Sequence, residues 1–458
     1  MGTPLGKIFH LFSRFGFGIS YKQANELTQV EFNEIVERLF VFSANPQPIT
    51  EINFQDIPLK KDAMAQGMNK KELQKLISDK LRDLNIAWTK RLLVSEKELV
   101  EKQTLFWHNH FSCRINDPYL MQELNNIHRR LALSNFRDLL MEVSKSPAML
   151  NYLNNQQNKK QHPNENFARE LMELFTLGRG NYSEQDVKEV ARAFTGWSFN
   201  KETASFDFKA KQHDDQEKTI FNMTGNFGGE HVINMILNNK QTAYFLCTKM
   251  YRYYVNEVVN EEHVKELADF YYHSQYNTGA LLRKIMQSSW FYSVENAGAI
   301  IKSPIDYLVV MSRQFKITYT NYNVLFQLQR ALGQQLFYPP NVAGWPGGKT
   351  FIDSTTLLLR MKLPSVILNN GELEVADKID DPDDQVKLSP LVNKKYETEV
   401  QWQEILNEIS AFDFETLMSF YLLKMPSQEI ITRIKSDSVF NKKEMILKIV
   451  SLPEYNLM

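Results

Sequence analysis

Five side chains in this sequence combine residue type and local setting in ways that could do chemistry: His108, Glu170, Glu173, His213 and Asp214. His108 belongs to the run Phe106-Trp107-His108-Asn109-His110-Phe111, placed at the end of an expected helix. Helical geometry sets its imidazole about 200° from that of His110, so the two cannot chelate one metal unless the chain unwinds there. His110 shares a face with Leu99, Gln103 and Phe106 and reads as a core histidine. His108 aligns with Glu101 and Thr104 and is open to service as a ligand or a base.

Glu170 lies about 60° from the centre of the apolar stripe formed by Phe167, Leu171 and Leu174 on a helix expected over Glu165 to Leu177. Glu173 sits one turn along. Two carboxylates so spaced at a core boundary can share a metal or a proton, and their repulsion raises one pKa toward acid–base range. The plain alternative is ion pairing. Glu165 and Arg169, on the opposite face, read as such a pair, contributing about 0.2–0.5 kcal/mol. His213-Asp214-Asp215 could supply nitrogen and oxygen ligands to a divalent metal, form a histidine–carboxylate pair, or simply solubilise a loop. The pairs Gly196-Trp197 and Gly344-Trp345 offer indole faces to a sugar or peptide, or bury them under neighbouring helices.

The elements that must hold these residues are helical. Ala24, Leu27, Phe32, Ile35, Val36, Leu39 and Phe40 recur near a 3.6-residue period over Ser20 to Phe40, whereas strand-like alternation is scarce. Two helices are expected from Asn69 to Phe111, the second opening at Ser95 with Glu98 three residues later as a capping box. Another should start at Asn164 and close at Gly178, and Ser183 opens the next. Trp197 to Glu230 reads as a long polar loop, and Tyr338 to Lys349, with three prolines and three glycines, as an irregular segment. The expected fold is mostly α. It consists of a multi-helix globular body with long irregular loops over 1–368, an acidic linker over 369–395 and a small helical C-terminal subdomain over 396–458.

Composition excludes several classes. The 458 residues are 43% apolar and 23% charged, as in globular proteins, and 53 Lys plus Arg against 54 Asp plus Glu give a net charge of −1, with no global field for nucleic acid. No stretch of about 18 apolar residues suggests a transmembrane helix. Cys113 and Cys247 make neither a disulfide scaffold nor a zinc spacing and read as free core thiols. No nucleophile elbow, P-loop, dinucleotide fingerprint or His-Glu-x-x-His helix occurs. Residues 1 to 18 lack the long apolar core of a secretory signal, which reads as cytoplasmic.

Taken in order, His10-Leu11-Phe12-Ser13-Arg14-Phe15-Gly16-Phe17-Gly18, Phe106 to Phe111, Asn164 to Leu174, Thr176-Leu177-Gly178, Ala193-Phe194-Thr195-Gly196-Trp197, His213-Asp214 and Pro340 to Pro346 resemble the bacterial family called domain of unknown function 1800, over about residues 8 to 370. The resemblance implies no catalytic residues. It implies a partner, a sulfatase-like protein of the domain of unknown function 1501 family that carries export signals, and with it an envelope or exported setting as the alternative to the cytoplasm. Phe175 departs from the family, in which a histidine is expected at that position.

Two readings follow. In the first, a metal-assisted hydrolase or lyase acts on a polysaccharide or sulfated polymer. His108, His213, Asp214 and Glu170 hold a divalent metal, and Glu170, Glu173 and His108 carry the chemistry. In the second, the chain is a non-catalytic helical accessory or binding subunit of the sulfatase-like partner. Convergence of these residues at one cleft separates the two.

Overall fold

Asn69 opens the longest helix, Lys70–Val94, by accepting the N–H groups of Lys71 and Glu72 while the Glu72 carboxylate accepts its own N–H, a complete capping box. Leu73, Ile77, Leu81, Leu84, Trp88 and Leu92 recur every three or four residues and bury one face of this rod, which packs against helices Pro118–Arg130, Pro304–Gln314 and Asn323–Ala331. Each such side chain removed from water contributes about 1.5–3 kcal/mol, so the stripe is enough to fix the rod at the centre of the body. The computed structural model describes residues 3–58, 60–370, 372–373, 394–395, 397–437 and 441–458.

Helices dominate the described residues, and the strands there form four two-stranded antiparallel pairs. The stretch Trp197 to Glu230, expected as a polar loop, contains two of them. Trp197–Asn200 pairs with Ser205–Phe208, and Lys218–Ile220 with Met223–Gly225. No helix among the described residues is long and apolar enough to cross a membrane.

Two expected helices differ in detail. Ser20 to Phe40 is broken into Tyr21–Leu27 and Phe32–Phe42. The second helix of the Asn69 to Phe111 stretch runs Glu98–His110 without a side-chain cap, because Glu98 accepts the N–H of Phe17 at 2.6 Å and pairs with Arg313 instead of returning to Ser95. A long-range partner has outbid the local capping box.

Buried apolar residues form two clusters. The larger spans Ile8 to Phe337. The smaller joins Tyr307 to Leu368 with Ile405 to Tyr455, so the C-terminal helices share a core with the preceding body rather than enclosing one alone. The last residues add to the join, with Met458 exchanging backbone hydrogen bonds with Ile300 and the Lys302 N–H donating to Asn456. Most of the acidic linker expected over 369–395 lies outside the described residues. Within it Glu372–Leu373 pairs with Lys394–Lys395.

Candidate functional site

His108 ends up inside the body, 4% exposed, with its Nε2 accepting the N–H of Phe337 at 3.2 Å. Its ring meets Trp88 edge-on at 5.0 Å and Phe337 at 5.1 Å. Burial, with Arg129 adding to it, pulls its pKa down to about 3, so the imidazole is neutral and a poor base near pH 7. Arg129 is itself compensated by the buried Glu101 carboxylate, which also accepts the Trp88 indole N–H. The lone pair a metal would need on His108 is spent on a backbone amide.

His110 is a satisfied core histidine. Its Nε2–H donates to the carbonyl of Phe175 at 3.0 Å and its Nδ1 accepts from Lys249 at 3.1 Å. Between the two imidazoles stands Asn109, whose role the sequence reading missed. Its Oδ1 accepts the N–H of Trp345 at 2.7 Å and its Nδ2 donates to the carbonyl of Trp345 at 3.1 Å. The approach is so close that a Cβ on Gly344, at φ +80°, would lie 2.6 Å from both the Asn109 carbonyl oxygen and the Ser112 hydroxyl. His108 and Asn109 thus fasten the irregular segment expected over Tyr338 to Lys349, at Phe337 and at Trp345.

The second Gly-Trp pair is fastened in the same manner. His213 Nδ1–H donates to the Thr195 carbonyl at 2.8 Å, and the Asp214 N–H donates to the Thr195 hydroxyl at 2.8 Å. The Asp214 carboxylate takes Arg192 through both oxygens and also the N–H of Gln216. Burial pushes the Asp214 carboxyl up, but Arg192 and the Gln216 amide outweigh it and hold the group below the usual range. From the other side, Asn155 Nδ2 donates to the carbonyls of Phe194 and Trp197, and Asn158 accepts the N–H of Gly196 on its carbonyl and that of Asn164 on its side chain. Trp197 and Trp345 are both buried, at 4% and 5% exposure, so neither indole is offered to a ligand.

Glu170 and Glu173 remain together on Asn166–Glu173, a helix shorter than expected because the chain unwinds after Glu173. The N–H groups of Leu177 and Gly178 both reach back to the Met172 carbonyl, and Phe175 and Leu177 turn inward. Glu173 accepts the Tyr182 hydroxyl at 2.8 Å. Burial, then the charge of Glu173, pushes the half-buried Glu170 carboxyl upward. Arg169 is not merely a solvated partner of Glu165, since it grips Glu184 through two bonds of 2.8 and 2.9 Å.

The candidate donors have separate partners. His108, His213 and Asp214 each hold a different stretch of backbone or an arginine, and among the described residues no group of three or more His, Cys, Asp or Glu side chains is placed to hold one. What the motifs build is a multi-helix body whose irregular segments are pinned by buried Asn, His and Arg side chains. The sequence profile of the family described as Protein of unknown function (DUF1800) matches residues 10–457, and the chain belongs to that family. The match includes the C-terminal helices, beyond residue 370 where the resemblance was expected to end. No curated protein and no solved structure matches the chain.

Proposed function

We propose that this chain is a non-catalytic helical binding protein, acting as an accessory subunit of a sulfatase-like partner. The observation that carries the reading is the separate engagement of the candidate catalytic groups. His108 Nε2 is taken by the Phe337 amide and the Asp214 carboxylate by Arg192, so two of the candidate groups serve the backbone and an arginine, while His213 donates its Nδ1–H to the Thr195 carbonyl. The test is co-expression with a sulfatase-like protein of the domain of unknown function 1501 family, followed by size-exclusion chromatography with light scattering. A stable complex, and no turnover of glycans by the isolated chain, is expected. Release of reducing ends by the isolated chain would overturn the reading.

One observation favours the second reading, a hydrolase acting on a polysaccharide-type polymer. Glu170 is a half-buried carboxyl held toward its neutral form beside an anionic neighbour, the arrangement that makes a general acid. On that reading Glu170→Gln and Glu173→Gln abolish glycan hydrolysis while leaving circular dichroism unchanged.

A further inference from the structure

His213 is fastened through one ring nitrogen. Its Nδ1–H donates to the Thr195 carbonyl at 2.8 Å, so the lone pair of the neutral ring sits on Nε2. Among the described residues no donor meets that lone pair, although the side chain is only 9% exposed. The open edge is aimed at Gly228. Nε2 and Cε1 both lie 3.9 Å from where a Cβ on Gly228 would stand, and Nδ1 of His231 lies 4.0 Å from the same point.

Gly228 is the N-cap of the helix Gly229–Asn238 and supplies no side-chain cap. His231 and Val232 donate to its carbonyl, which leaves the N–H groups of Gly229 and Glu230 ahead of the first intrahelical bonds. A serine, asparagine or aspartate at this place would accept from the first-turn amides, and glycine cannot. Nδ1 of His231 accepts the N–H of Gly228 at 3.1 Å, so the proton of that ring is on Nε2. The neighbouring carboxylates are matched by cations, Glu230 by Lys145 at 2.6 Å and Asp214 by Arg192 at 2.8 Å. With those charges offset, the positive end of the helix dipole stands unopposed. Phe208, 47% exposed, meets the His213 ring edge-on at 5.3 Å.

A ligand that suits these groups is anionic, carries several acceptor oxygens for the amides, and has one O–H for the lone pair on His213. A singly protonated phosphate monoester meets all three demands, since its second proton leaves near pH 6. A sulfate ester has the charge and the oxygens but no O–H. We propose that this helix terminus binds a phosphate monoester, its oxygens on the amides of Gly229 and Glu230 and its P–OH on Nε2 of His213. The inference goes beyond the accessory-subunit reading, and neither depends on the other.

The test is calorimetric titration of the full chain at pH 7 with glucose 6-phosphate, inorganic phosphate and glucose 6-sulfate. Glucose 6-phosphate should bind with a Kd below about 1 mM, and the sulfate ester at least about tenfold more weakly. Gly228→Asp places a carboxylate on the same amides, from an extended backbone at φ −104° with room for its Cβ. It should weaken glucose 6-phosphate by at least about tenfold while leaving Tm equal or higher, because it also caps the helix. His213→Asn keeps a donor for the Thr195 carbonyl but removes Nε2, and should bring the phosphate ester down to the level of the sulfate ester. Binding of inorganic phosphate without the ester, equal binding of the two esters, no saturable binding at all, or full binding by Gly228→Asp or His213→Asn would each overturn the proposal.

Discussion

The segments around the two Gly-Trp pairs and the charged cluster around Asp306 are both buried and polar, yet they keep opposite accounts. In the first, the donors and acceptors that attract the eye in the sequence are met by short internal bonds: Asn109 by Trp345, His213 by Thr195, Asp214 by Arg192. In the second, Arg14 and Arg360 keep unmet donors and one aspartate serves four cations. Residue types that suggest chemistry are thus spent on shape, while the place with unmet electrostatic demand sits where the sequence shows only ordinary lysines and arginines. Satisfaction of hydrogen bonds, rather than residue type, separates a fastening from a site.

The largest way to break this comparison is Asp306→Asn. Removing the shared carboxylate leaves, among the described residues, only Glu257, which acts on Arg14, and Glu98, which acts on Lys102, against Lys102, Lys302, Arg14 and Arg360, and unfolding by urea should show a loss of about 3–5 kcal/mol. A loss below about 1 kcal/mol would mean that the cluster is better hydrated than its burial implies. Next comes Gly344→Ala, which adds a Cβ against Asn109 and Ser112 at a positive φ and should cost about 2–4 kcal/mol through strain and overpacking. The same denaturation measurement, with Gly347→Ala as a control having nothing within 4 Å, isolates the close approach from the backbone strain.

The histidines sharpen the comparison through pH. His10, His108, His110 and His128 are all held below 6.5, burial being the first cause in each, so the folded protein keeps them neutral while the unfolded chain protonates them. Their contribution is complete above the unfolded pKa and is lost as pH falls toward the folded values. Stability should therefore drop below about pH 6.5, by about 1.4 kcal/mol per pH unit for each histidine involved. His108→Gln, which keeps an acceptor for the Phe337 N–H but cannot take a proton, should remove one such increment from the slope between pH 6 and 4. An unchanged slope would show that His108 is accessible to protonation in the fold.

The smallest effect is expected at Glu170. Its folded pKa is raised, so the stability it contributes is present below the unfolded carboxylate value and is lost as pH rises through the folded one. Glu170→Gln should then stabilise the protein at pH 7 by a few tenths of a kcal/mol, discounted for solvent screening, and by nothing at pH 3. A destabilisation at pH 7 would reveal a charge partner that Glu170 needs.

Much of the architecture was legible from periodicity, because stripes such as Leu73, Ile77, Leu81 and Leu84 depend only on local spacing. Cys113 and Cys247 as buried free thiols were legible from their number and residue type, whereas the helix expected to close at Gly178 already ends at Glu173. What could not be read was anything decided across the chain. Glu98 abandons Ser95 for Phe17 and Arg313, and Arg360 donates to the Lys302 carbonyl at 2.9 Å from 58 residues along the chain. The sequence drew attention to histidines and acids as ligands, while Asn109, Asn155 and Asn158 gave no signal beyond being asparagines. A glycine-rich segment flanked by prolines needs outside partners for its backbone, and that need was the available clue to Asn109.

The most direct test of the fastening account is calorimetric titration of the wild type with Zn²⁺, Mn²⁺ and Ca²⁺, alongside His213→Gln and Glu170→Gln variants checked by circular dichroism. The account predicts no stoichiometric site tighter than about 100 μM that both variants abolish. One equivalent of metal bound by the wild type and lost in both variants, with helix content intact, would contradict it and return His213 and Glu170 to a common metal centre.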